Sequence, residues 1–129
     1  MSSLEASFDL PPALSSVPAA RHLVVGLLEA WAVPQDLDDA ALLTTELVSN
    51  VIDHVGGEST LTVEVTSSGD WLRIGVVDGS AIKPVVQELD QQRPRGRGLR
   101  MLQTIAARWG SEERGDGKRV WFELRPPGL

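Results

Sequence analysis

Cysteine is absent from the 129 residues. Its absence removes a disulfide framework, a thiolate metal site and a cysteine nucleophile, and fits a reducing cytosol. No apolar run is long enough to span a bilayer. The opening residues Met1-Ser2-Ser3-Leu4-Glu5 lack the basic-then-apolar order of a secretory signal. The expectation is therefore a cytoplasmic protein without a membrane partner. Positive charge is also scarce: 12 Lys and Arg stand against 18 Asp and Glu, a net charge of -6. That balance argues against a nucleic-acid partner, because phosphate neutralisation dominates such affinity. Internal repeats and low-complexity segments are missing too.

What is present has the composition of a soluble globular protein, 42% hydrophobic and 23% charged. The length suits one domain over residues 1–129 that buries most of its apolar surface without staples. The charge is unevenly spread. Arg93, Arg95, Arg97 and Arg100 crowd together with no acid among them, a local patch suited to a small anionic ligand.

The chain is organised around residues 43–57. At about 100° per residue, Leu47, Val48, Val51, Ile52 and Val55 share one helical arc. Glu46, Asn50, Asp53 and His54 occupy a neighbouring arc, and Gly56-Gly57 supply a left-handed stop. Glu46 and Asn50 lie one turn apart, so both can reach a single ligand. Asn offers a neutral oxygen to a hard cation such as magnesium, and Glu can take a proton from a nucleophile. A merely solvated face on an amphipathic helix would present the same pattern.

Ahead of this stretch, Ala6-Ser7-Phe8-Asp9-Leu10 alternates and ends at Pro11-Pro12, as a short edge strand does. Ser15 or Ser16 can cap a helix running through Trp31 and stopping near Pro34. Asp36 is placed to cap the central helix, with Asp38 and Asp39 in its first turn. After it, Leu61, Val63 and Val65 alternate with polar residues, Ser68-Gly69-Asp70 makes a turn, and Trp71 to Val77 forms the next strand. Periodicity fades over residues 81–94, which read as a mobile loop. Gly96-Arg97-Gly98 then opens a helix expected to carry Leu99, Met101, Leu102, Ile105, Ala106 and Trp109. Gly115-Asp116-Gly117 turns a hairpin whose second arm is Val120 to Leu124. Strands gathered in hairpins with helices between them predict an α+β fold. It would be a two-layer sandwich of a mixed, mainly antiparallel sheet with helices on one face.

Two further pieces carry chemistry. The backbone of Gly96-Arg97-Gly98, at a helix start, can approach phosphate oxygens, although an ordinary loop-to-helix turn would look the same. Asp78 ends a strand, where its carboxylate can accept a hydrogen bond from an exocyclic amine such as adenine's, with Gly79 leaving room for the ring. An aspartate in an ordinary turn is the plain alternative.

In this order, Glu46-x-x-x-Asn50, Asp78-Gly79-Ser80 and Gly96-x-Gly98 resemble the successive boxes of the ATP-binding superfamily of gyrase, heat-shock chaperone, histidine kinase and mismatch-repair proteins. The short length and the segments Arg97-Gly98-Leu99, Arg108-Trp109-Gly110 and Gly117-Lys118-x-Val120-Trp121 resemble the anti-sigma-factor serine/threonine kinases, particularly small actinobacterial ones. The resemblance implies a histidine-kinase-like ATPase fold, with ATP and Mg²⁺ as cofactors. Asn50 would hold the metal, Glu46 would act as general base, and Asp78 with Gly79 would receive adenine. Gly96 and Gly98 would wrap the phosphates, Arg97 and Arg95 would offset their charge, and Leu99 continues the same segment.

The implied activity is phosphorylation of a serine on an anti-sigma antagonist, together with capture of a sigma factor. The resemblance leaves room for a homodimer. A non-catalytic ATP-binding module that captures a protein partner is the alternative. Ser80 stands where glycine is frequent in such proteins. Lys118 and Arg119 stand where a Gly-Thr pair is common, so a threonine contact to nucleotide is missing, and Lys118 could reach a phosphate instead.

Overall fold

The computed structural model describes residues 3–55, 60–78, 102, 104–114 and 117–128, without the side chains of His54, Val55 and Arg114. The described residues form, in order, β1 (Ser3–Leu10), α1 (Ser16–Trp31), α2 (Leu37–Val55), β2 (Leu61–Ser68), β3 (Trp71–Asp78), β4 (Arg108–Arg114) and β5 (Gly117–Leu124). The strands form one five-stranded sheet in the order β1-β2-β3-β5-β4. Every neighbouring pair is antiparallel. The fold is α+β, as the hairpin grouping predicts, and β1 is an edge strand.

Period-two alternation builds the sheet's inner face. Leu61, Val63 and Val65 of β2 are buried, as are Leu72, Ile74 and Val76 of β3 and Val120, Phe122 and Leu124 of β5. The register lines these rows up, pairing Val65 with Ile74 and Ile74 with Phe122. Among the described residues, two helices cover the face. Ala20, Val24 and Leu28 of α1 recur every four residues, and Leu43, Leu47, Val48 and Val51 of α2 complete the core. Helix α2 packs on both β3 and β5, and α1 packs on α2 and β1. Burying each large side chain contributes about 1.5–3 kcal/mol, so this inner face dominates the stability.

The opposite face of the sheet is polar and tied by ion contacts. Arg119 Nη1 donates to Glu112 Oε1 at 2.6 Å, and its Nε lies 2.9 Å from Glu64 Oε1. Arg108 Nε approaches Glu123 Oε1 at 2.8 Å, while Arg73 sits 4.2 Å above the Trp121 ring. Such half-exposed pairs contribute only about 0–1 kcal/mol each. They fix the order of long side chains more than they stabilise the fold.

Local chemistry sets the ends of the elements. Asp36 caps α2 as expected, its Oδ1 accepting from the Asp39 backbone N–H at 3.0 Å. The β2–β3 hairpin turns on Gly69 and Asp70, with φ of 57° and 69°, the paired positive values of a tight two-residue loop. Helix α1 ends near Pro34 as expected, at Ala32 in the left-handed region, where the Ala32 N–H donates to the Glu29 carbonyl and the Val33 N–H to the Leu28 carbonyl.

Two sequence expectations are corrected. Strand β1 starts at Ser3 rather than Ala6, because its pairing with β2 continues out to Ser68. Trp109 belongs to β4 and not to the helix expected to carry it. The Ala107 N–H donates to the Glu123 carbonyl at 2.8 Å, and Trp109 pairs with Phe122. Sheet pairing captures the chain where helical spacing of apolar residues still suggests another turn.

Candidate functional site

Helix α2 presents its polar arc unevenly. Asp53 is exposed and Glu46 is half-buried, whereas Asn50 is only 5% exposed. A solvated face would leave the amide wet, so Asn50 is not part of one. Helix α2 packs on both β3 and β5, and this part of its arc is covered. Glu46 and Asn50 remain one helical turn apart, with their side chains on one side of the helix.

Asp78 closes β3. It follows Leu72, Ile74 and Val76 at alternate positions, which places it on the face that the helices cover, and it is 1% exposed. Directly across the ladder stands Lys118, the first residue of the row that continues through Val120, Phe122 and Leu124. Lys118 is buried too, and its Nζ lies 3.9 Å from Glu113 Oε2. A carboxylate, an ammonium and an amide are thus buried around the layer between α2 and the β3–β5 pair. Burying such groups costs several kcal/mol unless they find partners, so apolar packing alone does not explain them.

The described residues fit a nucleotide with a hard cation in donor chemistry. Magnesium keeps several water and phosphate oxygens, so a single amide oxygen such as that of Asn50 suits it. Among the described residues, no group of three or more His, Cys, Asp and Glu could hold a metal ion. A cation cage made of protein alone is therefore not what these residues offer.

The remaining predicted site residues, Gly79, Arg95, Gly96, Arg97, Gly98 and Leu99, lie outside the described residues, as do Ser80 and the expected loop over 81–94. An open depression of about 560 Å³ elsewhere, lined by Glu5, Glu64, Thr66, Arg73 and Arg119 among others, lies on the opposite sheet face from Asp78. Its arginines already pair with Glu64, Glu112 and Glu123. It has no part in this site.

Comparison with known proteins supplies the deciding observation. The family model of the histidine kinase-like ATPase domain matches residues 10–124, nearly the whole chain. This chain belongs to that family. Histidine kinase-like ATPase domains bind ATP, and the module described here is an ATP-binding one. An uncharacterized protein of Streptomyces coelicolor is 39% identical over 83 residues, covering 61% of this chain and 78% of the relative. The matched span of the domain starts at Leu10 and ends at Leu124, so it takes in the central helix, the β3 terminus and Lys118.

Lys118 stands out only as a departure from a motif, although its alternation with Val120, Phe122 and Leu124 already assigns it to the inner face. Gln35 was missed altogether. No motif marks it, and its role depends on contacts with strands far along the chain.

Proposed function

We propose that this protein is an ATP- and Mg²⁺-dependent serine/threonine kinase of the anti-sigma regulator type. It phosphorylates a small anti-sigma antagonist and captures a sigma factor. The observation that carries this reading is the buried Asn50 one turn from Glu46, on a helix packed against the strand that ends in the buried Asp78.

In this reading Asn50 holds the cation through its amide oxygen, and Asp78 accepts the adenine amine. ATP supplies the phosphoryl group that is transferred. Glu46 accepts the proton of the serine hydroxyl, and its half-exposed position leaves it open to an incoming protein substrate. Positioning and charge neutralisation account for most of the rate in such transfers. Glu46 favours a kinase over a module that only binds, because nucleotide capture alone has no use for a base there.

A phosphotransfer assay tests the proposal. Partner proteins captured from the native cell extract are incubated with the protein and γ-labelled ATP. The expected result is label on serine of a small partner, lost in Glu46→Gln. Binding of ATP without transfer to any captured partner would leave a non-catalytic ATP-dependent module and end the kinase reading.

A further inference from the structure

Among the described residues, β1 and β4 form the two edges of the sheet. An edge strand leaves half of its backbone N–H and C=O groups without a strand partner, and charges along it deter pairing with another chain. Strand β4 is guarded in that way by Arg108, Glu112 and Glu113. Strand β1 is not. It pairs with β2 from Ser3 to Leu10 and carries no Lys, Arg or Pro. Its acids Glu5 and Asp9 alternate with the row Leu4, Ala6, Phe8 and Leu10, which lies on the helix-covered face. Leu10 is buried and Phe8 packs against the core, whereas Leu4 is 42% exposed. Beside Leu4 lies an open groove of about 350 Å³, lined by Trp31, Val33 and Pro34 among others. Apolar side chains thus border an unguarded edge.

We propose that β1 pairs antiparallel with β1 of a second copy of this chain, joining the two five-stranded sheets into one. The two-fold axis of such a pair stands perpendicular to the sheet. It keeps both helix layers on one side and sets each residue opposite one of the same face. Only registers centred on a residue satisfy this. Centring on Glu5 sets that carboxylate against its own copy, and centring on Ser7 sets Glu5 against Asp9. Like charges directly opposite are destabilising. Centres nearer either end pair fewer residues. Centring on Ala6 avoids all three faults. Leu4 then meets Phe8 of the second copy, Glu5 meets Ser7, and Ser3 meets Asp9. Apolar side chains face apolar ones, and each carboxylate faces a hydroxyl. This self-complementarity in one register favours a second copy over an extended peptide of another protein. The inference does not depend on the kinase reading.

Sedimentation velocity of the natural protein over a range of concentrations should show a reversible monomer–dimer equilibrium. A monomer at every concentration overturns the proposal, and that result needs no variant to fold. The register is read with single thiols, since the chain has no cysteine. Ala6→Cys sets two thiols face to face at the axis, with Cβ atoms about 4.5–5.5 Å apart, and should give disulfide-linked dimer under mild oxidation. In Ser7→Cys the two thiols are diagonal neighbours about 7–8 Å apart, too far to bridge without backbone movement, and should stay largely unlinked. A dimer in which neither variant cross-links, or Ser7→Cys cross-links as fast as Ala6→Cys, overturns the pairing. Ser3, exposed at the start of the strand, gives a second reading. Ser3→Lys sets opposite charges against Asp9 twice per dimer and Ser3→Glu sets like ones, so Ser3→Lys should dimerise at least several-fold more tightly. Equal dissociation constants for the two would also overturn the register.

Discussion

Gln35 and Leu124 lie 89 positions apart and share a buried hydrogen bond, Gln35 Nε2 donating to the Leu124 carbonyl at 3.3 Å. The same amide nitrogen also donates to the Asp70 carbonyl in the β2–β3 turn. One side chain in the linker between the two helices therefore holds the end of β5 and the end of a hairpin. These are the elements on whose inner face the proposed site is built.

Gln35→Ala removes both donors and leaves two carbonyls in a largely buried position. The expected cost is about 1–3 kcal/mol. Urea unfolding should show a lower midpoint with an unchanged slope. A midpoint equal to that of the natural protein would mean that water replaces the amide and that Gln35 anchors nothing.

The start of α2 carries a second, pH-dependent prediction. Asp36→Ala removes the cap from the Asp39 N–H and should cost about 1 kcal/mol. Asp39 itself is held above the ordinary aspartate range, first by burial and then by the charges of Asp36 and Asp38. The folded protein thus keeps this proton more tightly than the unfolded chain. Its contribution to stability is present at low pH and lost as pH rises through the raised value. Asp39→Asn should gain stability relative to the natural protein between pH 3 and pH 7, read from denaturation midpoints at each pH. A constant difference would assign no linkage to Asp39.

Much of the fold was legible because its periodicities are clean. Leu61, Val63 and Val65 alternate, Leu47, Val48 and Val51 follow helical spacing, and Asp36 announces its cap. Trp109 was misplaced because helical and strand spacing agree over a few apolar residues, and only the hydrogen bond from Ala107 to Glu123 separates them. In the proposed site, order and spacing single out Glu46, Asn50 and Asp78 as candidates, but not their burial. Asn50 reads as polar surface until α2 is set against the sheet. Gln35 is illegible for the opposite reason, since nothing local distinguishes it from any linker glutamine.

Binding and chemistry should separate at the central helix. Glu46→Gln keeps size and hydrogen-bonding capacity but removes the basic carboxylate. It should leave ATP affinity nearly intact while phosphotransfer falls roughly 10²–10⁴-fold. Asn50→Ala should weaken nucleotide binding and turnover together, because it removes the cation's amide oxygen. Phosphotransfer at the natural rate in Glu46→Gln would return Glu46 to the solvated face of an amphipathic helix.

The central claim, a Mg²⁺-dependent ATP site built on α2 and the end of β3, is tested most directly by thermal unfolding with and without Mg-ATP. Ligand at about 100 times its dissociation constant adds ~2.7 kcal/mol to the folded state. For a domain of this size that is a rise in Tm of roughly 5–10 °C. The account predicts this rise for the natural protein, a much smaller one when magnesium is chelated, and a much smaller one in Asn50→Ala. An unchanged Tm in millimolar Mg-ATP, with no heat of binding by calorimetry, would contradict it.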